Sequence, residues 1–192
     1  THCISSAASD VYKRQLMKAI SKAKHHIHLE FYIFEDDPVG RLLRDLLIDK
    51  AREGVEIRLL YDDVGCWKVP HLFYDEMRGA GIEARGFLKV RFPVFTSKVN
   101  YRNHRKIVVI DGKVAFTGGM NIALRYMKGF QWGIWRDTHT KIEGKAVYGL
   151  QTAFLTDWYV VDRTLITSSR YFPEMDSYGN ALMQIVTSDP VG

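Results

Sequence analysis

The sequence predicts an α/β fold: a mixed, largely parallel sheet flanked by helices. Three observations carry this. Short β-branched and aromatic runs alternate with amphipathic stretches through the first half of the chain, the pattern of strands joined by helical crossovers. Asp111 followed by Gly112, set between two apolar runs, is a strong hairpin signal. The chain has 192 residues, 46% of them hydrophobic, which suits one domain with a real core.

The elements follow in order. Residues 11–24 read as a helix, with Leu16, Ile20 and Ala23 on one stripe. Residues 27–34 read as a buried strand, rich in β-branched and aromatic side chains. Asp37 and Pro38 open the next helix as N-cap and first helical residue, and Gly54 stops it just past Glu53. Residues 55–61 form the next strand, closed by Asp62 and Asp63. A helix near 72–79 and a strand near 82–85 complete the alternating half. Residues 87–103 are irregular, basic and aromatic, as expected of a surface loop. Residues 104–110 and 114–117 make the hairpin, ended by Gly118 and Gly119. A strand over 135–142, a helix over 146–161 with aromatics on its buried stripe, an irregular stretch over 163–179 and a last strand over 181–186 are expected. The domain is expected to span 11–187. Residues 1–10 are expected to be non-native or disordered, and 188–192 to begin a linker.

The net charge of +5 is not evenly spread. Residues 85–113 hold eight Lys or Arg and one Asp, leaving 19 basic and 21 acidic residues elsewhere. A local basic excess points to a phosphate or an anionic surface. The two cysteines, Cys3 and Cys66, are far apart, which argues against a disulfide framework and a cysteine-rich zinc site. There is no apolar run of about 18 residues, the length a membrane-spanning helix needs, and no secretory signal pattern is visible.

The chemistry concentrates in residues 104–121, HRKIVVIDGKVAFTGGMN. The skeleton is His104-x-Lys106, four residues, Asp111, six residues, then Gly118-Gly119-x-Asn121. In a strand, residues two apart share a face, so His104 and Lys106 are expected side by side. A neutral imidazole is a competent nucleophile toward phosphorus. An ammonium beside it neutralises phosphoryl oxygens and the charge that develops in the transition state. Asn121 adds an amide donor, and the glycines permit close backbone approach. Nothing in the set requires a metal. Glu30 stands in an otherwise apolar strand, where an unpaired charge is costly; it is expected to pair with a cation of the site.

This array resembles the motif of the phospholipase D superfamily, and the resemblance runs over residues 27–186. It implies an α-β-α sandwich that is one of two pseudo-symmetric halves, either in one chain or in two subunits. It implies that one histidine attacks phosphorus to form a phosphohistidine while the other protonates the leaving alcohol and then activates the acceptor. Carried over, His104 is one of the two histidines, in the nucleophile's position for a first half. Lys106, Asn121, Gly118 and Gly119 take the phosphoryl group, and Asp111 completes the catalytic motif, with a structural role at the turn. Asp137 matches the family's carboxylate that holds the far nitrogen of the histidine, and His139 is expected to share its face.

The flanks resemble the bacterial cardiolipin synthases: LEFYIF at 29–34, NYRNHRK at 100–106, NIA at 121–123, RDTH at 136–139 and IEG at 142–144. This resemblance implies a phosphatidyl transfer that makes cardiolipin from two phosphatidylglycerols and releases glycerol, with no cofactor and no metal. Full-length members carry N-terminal membrane helices, placing them at the bacterial cytoplasmic membrane, and a second motif. Ser188, Asp189 and Pro190 resemble the sequence before the second half. The chain therefore reads as a first half, inactive alone, whose partner is the missing second half or a second copy in a homodimer. Lys and Arg near an anionic lipid surface contribute about 1 kcal/mol each, and Phe92, Phe95 and Tyr101 are candidates for that interface. Two rivals stand beside this reading. One is a homodimeric phosphodiesterase acting on nucleic acid, which the flanks make a less fitting partner. The other is a half that binds phosphate without catalysis.

Overall fold

The computed structural model describes residues 9–87, 103–128, 137–175 and 182–188. Its elements are α1 (Ser9–Ser21), β1 (His26–Phe31), α2 (Pro38–Arg52), β2 (Glu56–Asp62), α3 (His71–Gly79), β3 (Glu83–Phe87), β4 (Ile107–Ile110), β5 (Val114–Gly118), α4 (Arg125–Lys128), β6 (His139–Glu143) and α5 (Val147–Asp162), followed by a 3-10 turn at Ser169–Tyr171. The six strands form one sheet in the order β3-β2-β1-β4-β5-β6. The sheet is mixed, as expected, but its parallel part is limited to β1–β2 and β2–β3. The other three pairs are antiparallel. The Asp111–Gly112 turn reverses the chain between β4 and β5, with both residues at positive φ (53° and 65°).

Local signals explain most boundaries. Asp37 caps α2, its Oδ1 accepting from the N–H groups of Val39 and Gly40 at 2.9 Å each, while Pro38 occupies the first turn. Gly54 supplies the left-handed residue (φ +90°) after that helix. Strand β1 is buried along its whole length, but its two faces differ. Ile27, Leu29 and Phe31 join Leu16, Ile20, Leu43, Leu47 and Phe73 under α1, α2 and α3. His28 and Glu30 point the other way, beneath α5, whose Leu150, Phe154 and Trp158 pack on Ile107, Val109 and Ala115. Each fully buried Leu, Ile or Phe contributes roughly 2 kcal/mol of burial free energy.

Three expectations are corrected. The strand expected to begin at 104 enters the ladder only at Ile107; before it, the Arg105 N–H and the His104 carbonyl bond to the Asn103 and Lys106 side chains instead. The final strand expected over 181–186 is absent among its described residues. There Ile185 packs into the gap over Gly149 of α5, so the β-type pattern reflects packing on a helix and not sheet pairing. The strand expected from 135 is seen from His139, its first two residues lying outside the described part. The loop aromatics Phe92, Phe95 and Tyr101 also lie outside it.

Candidate active site

Topology brings the key residues to one edge of the sheet. The C-terminal ends of β1, β2 and β5 and the N-terminal ends of β4 and β6 meet there, since Glu30 pairs with Ile107, Phe31 with Tyr61 and Gly118 with His139. His104 is exposed at this edge, whereas Lys106 is buried. The Lys106 Nζ donates to the His104 carbonyl at 2.6 Å. Both side chains lie against one ring. The His104 imidazole stacks on Tyr32 with centroids 4.0 Å apart, and Lys106 Nζ is 5.7 Å from that ring's centroid. The expected shared face is therefore present, with Tyr32 as its floor.

The electrostatics suit a nucleophile. Partial burial, then the Lys106 charge, lower the His104 pKa, while Asp62 acts in the opposite sense. The imidazole is thus neutral at neutral pH, with its lone pair available. Burial lowers the Lys106 pKa, and the nearby Asp137 carboxylate opposes that shift. The Asp137 charge thus acts on the lysine, and among the described residues the Asp62 charge acts on His104. Sequence reasoning missed Asp62 as a site residue. Its side chain ends β2 and turns the chain, Oδ1 accepting from the N–H groups of Val64 and Gly65 at 2.9 Å. His139 is buried, its ring tilted 31° against Tyr12 with centroids 3.6 Å apart, and its pKa is lowered to about 4 mainly by burial and then by the Lys106 charge.

The two glycines do permit close approach, but of protein. A Cβ on Gly119 would meet Asp137 Oδ1 at 2.2 Å, and one on Gly118 would meet the Thr138 carbonyl at 2.3 Å. Gly119 N–H donates to that carbonyl. They let residues 137–139 pack tightly on β5, which sets Asp137 and His139 in place. Asn121 is buried, with Oδ1 accepting from Ile33 N–H and Nδ2 donating to the Tyr126 hydroxyl, both at 3.0 Å. Among the described residues, its second Nδ2 hydrogen has no acceptor.

Asp111 lies at the opposite end of β4 from His104. Its carboxylate accepts from the backbone N–H groups of Lys24, His25 and His26, latching the end of α1 and the start of β1 to the hairpin. Among the described residues Glu30 makes no direct ion pair with a Lys or Arg, although the nearby Arg105 charge favours its ionised form. Its Oε1 accepts from Asn103, while the Arg105 guanidinium pairs with Asp157 of α5. Cys66 is buried and its thiol pKa is pushed up to about 11, which suits packing and not reactivity. Among the described residues, no group of three or more His, Cys, Asp or Glu is placed to hold a metal ion. No helix among them is long and apolar enough to cross a membrane.

Comparison with known proteins gives a consistent result. Residues 16–158 match the family described as "Cardiolipin synthase, PLD-like domain". The chain is 46% identical over 178 residues to a cardiolipin synthase of Geobacillus sp. (strain WCH70), covering 91% of this chain and 36% of that protein. It is 43% identical over 180 residues to the major cardiolipin synthase ClsA of Bacillus subtilis (strain 168), covering 92% and 37%. It therefore spans about a third of the length of these relatives. Among solved structures, the fold resembles phosphatidylserine synthase from Haemophilus influenzae (TM-score 0.63, 18% identity, 81% of this chain and 36% of that one). It also resembles Nuc, a phospholipase D family member from Salmonella typhimurium (TM-score 0.56, 17% identity, 78% and 88%).

Proposed function

Because this chain belongs to the cardiolipin synthase, phospholipase D-like domain family, we propose that it supplies one half of a phosphatidyltransferase site that makes cardiolipin. The carrying observation is the exposed, neutral His104 held on Tyr32 beside the buried Lys106.

In this reading a ring nitrogen of His104 attacks the phosphorus of a phosphatidylglycerol. The phosphorus–oxygen bond to the headgroup glycerol breaks, and glycerol leaves with a proton from the second histidine, which comes from the other half or a second copy. The phosphatidyl group is then covalently held on His104. The hydroxyl of a second phosphatidylglycerol gives its proton to the second histidine and attacks phosphorus in line. Cardiolipin forms and His104 is restored. Lys106 and the spare Asn121 hydrogen neutralise the phosphoryl oxygens in both displacements, and Asp137 keeps the Lys106 ammonium charged and aimed. Neither step calls for a nucleotide or a redox group.

The test is to express the intact protein in membranes with phosphatidylglycerol, beside His104→Ala. Cardiolipin and glycerol are expected in equal amounts from the first and neither from the second. A second reading, a homodimeric phosphodiesterase, draws on the likeness in size and fold to Nuc and on the basic stretch before His104. Cleavage of DNA with phosphatidylglycerol untouched would favour it and overturn the lipid transfer.

A further inference from the structure

Beneath the edge that bears His104 lies a buried polar cluster that the transfer chemistry does not use. Glu30 of β1 and Asp157 of α5 are 2% and 6% exposed. Asn103 bridges them, its Nδ2 donating to Glu30 Oε1 and, at 3.3 Å, to Asp157 Oδ2. The same side chain turns back on its own backbone, Oδ1 accepting from Arg105 N–H at 3.0 Å. The Arg105 guanidinium pairs with Asp157 and reaches the Ser188 carbonyl at 3.4 Å. Both neighbours of His104 are therefore tied down from below, and His104 is the residue between the two ties.

Among the described residues the charge of this cluster does not balance if both carboxyls are ionised, because two buried negative charges would face one guanidinium. An uncompensated buried charge is strongly unfavourable. One proton removes the excess. As a bare carboxylate, Glu30 Oε2 has no hydrogen-bond partner among the described residues; a protonated Glu30 carboxyl gains one in the Asp157 side chain. Burial first, then the Asp157 charge, hold the Glu30 carboxyl well above its ordinary range, so the proton sits there at neutral pH.

We propose that Glu30 and Asp157 act as one proton-sharing carboxyl pair that clamps Asn103 and Arg105 and so fixes where His104 points, making Glu30 a positioning residue for the reacting imidazole. This deepens the transferase reading and rests on it for the kinetic consequence, but not for the structural one.

Three variants of the intact protein test it: Glu30→Gln, Glu30→Leu and Asp157→Asn. In Glu30→Gln the new amide copies a protonated glutamic acid, donating to Asp157 and accepting from Asn103. The turnover of this variant is expected within about twofold of the parent, with the His104 imidazole resonance, assigned by its loss in His104→Ala, unmoved. Glu30→Leu removes the clamp without leaving a buried charge. It is expected to lower kcat by tenfold or more at nearly constant KM, and to shift and broaden the His104 resonance while the other histidines stay put. Asp157→Asn releases Arg105 and is expected to behave like Glu30→Leu, which decides the matter should the leucine variant not fold. Parent-like turnover and His104 resonance in Glu30→Leu or Asp157→Asn would overturn the proposal, as would a Glu30→Gln variant as damaged as Glu30→Leu. If the parent transfers no lipid at all, the functional reading fails, while the His104 resonance still tests the clamp.

Discussion

The Tyr32 phenol lies nearly parallel to the His104 imidazole, 19° off, with the ring centres 4.0 Å apart. Tyr32 follows β1 directly, and its carbonyl is pinned from the far side: Cys66 Sγ donates to it, and Gly65 packs so close that a Cβ there would meet it at 2.1 Å. The loop that Asp62 turns thus fixes the ring on which His104 rests.

The stacked face should matter more than the hydroxyl. Aromatic pairs of this kind contribute about 1 kcal/mol beyond their burial. Tyr32→Ala is expected to lower kcat/KM about tenfold, and Tyr32→Phe to stay within about twofold, both read from cardiolipin formation by the intact protein.

The His104 pKa should respond to its two charged neighbours with opposite signs. Lys106→Met removes the positive charge that lowers it, so the pKa rises; Asp62→Asn removes the negative charge that raises it, so the pKa falls. In the proposed transfer the reacting form is neutral, so activity is expected to be lost as pH falls through the His104 pKa. That acid limb should move to higher pH in the first variant and to lower pH in the second. Histidine-selective NMR titration measures both directly, and equal shifts in one direction would contradict the charge assignment.

How much of this was legible beforehand differs by residue. His104, Lys106 and their shared face follow from spacing alone, because the two-residue alternation survives even where the ladder does not. The Asp37 cap and the Asp111 turn are local signals and were equally readable. Tyr32 and Asp62 were not. Each lies far from His104 in the chain, and only the strand order β2-β1-β4 brings their strand ends together. Gly118 and Gly119 were readable as sites of close approach, but not what approaches. Glu30 was readable as an unusual buried acid, yet its partners come from α5 and from Asn103, which no sequence period connects.

Asp111 should prove to be a stability residue. Removing its carboxylate strands three backbone N–H groups and places alanine at a φ of 53°. Asp111→Ala is expected to lose about 2 kcal/mol, seen as a lower urea midpoint. Asp111→Asn, which tolerates that backbone and keeps an acceptor, should lose less. Turnover per folded molecule should change little in either. A large fall in turnover at unchanged stability would give Asp111 a direct part in the chemistry.

Gly119→Ala should separate activity from folding. The new methyl would displace Asp137, a flexible carboxylate and not backbone, so the melting temperature should fall by only a few degrees. Lys106 loses the charge that opposes the lowering of its pKa. About a tenfold fall in kcat is expected, most evident at alkaline pH, where the lysine deprotonates sooner.

Acid should weaken the fold through its buried histidines. His26 and His139 titrate near 4 in the folded chain, mainly because of burial, but near 6.5 when unfolded. Between those values the unfolded chain binds more protons, so stability is full above about pH 6.5 and declines toward pH 4. Each histidine contributes on the order of 3 kcal/mol to that decline. The Glu30 contribution has the other sign, since its raised pKa makes the folded chain the better proton binder above the ordinary carboxylate range. His26→Phe, whose ring fills the same place against Tyr171, isolates one histidine. Urea unfolding at several pH values should show a shallower decline than the parent, and an identical decline would remove His26 from the account.

In the proposed transfer, the exposure of His104 at the rim of the sheet has a consequence for which product forms. A phosphatidyl group held on that imidazole can be taken by any hydroxyl that reaches it, and water is far more abundant than lipid unless it is kept out. Among the described residues the ledge that bears His104 is open, with Tyr32 against its ring and Lys106 beside it, so in the proposed transfer the surface that faces the ledge decides which hydroxyl arrives first. Product choice, transfer to lipid or loss to water, is thereby set by whatever closes over the ledge. The same ledge under a different roof would be a different enzyme.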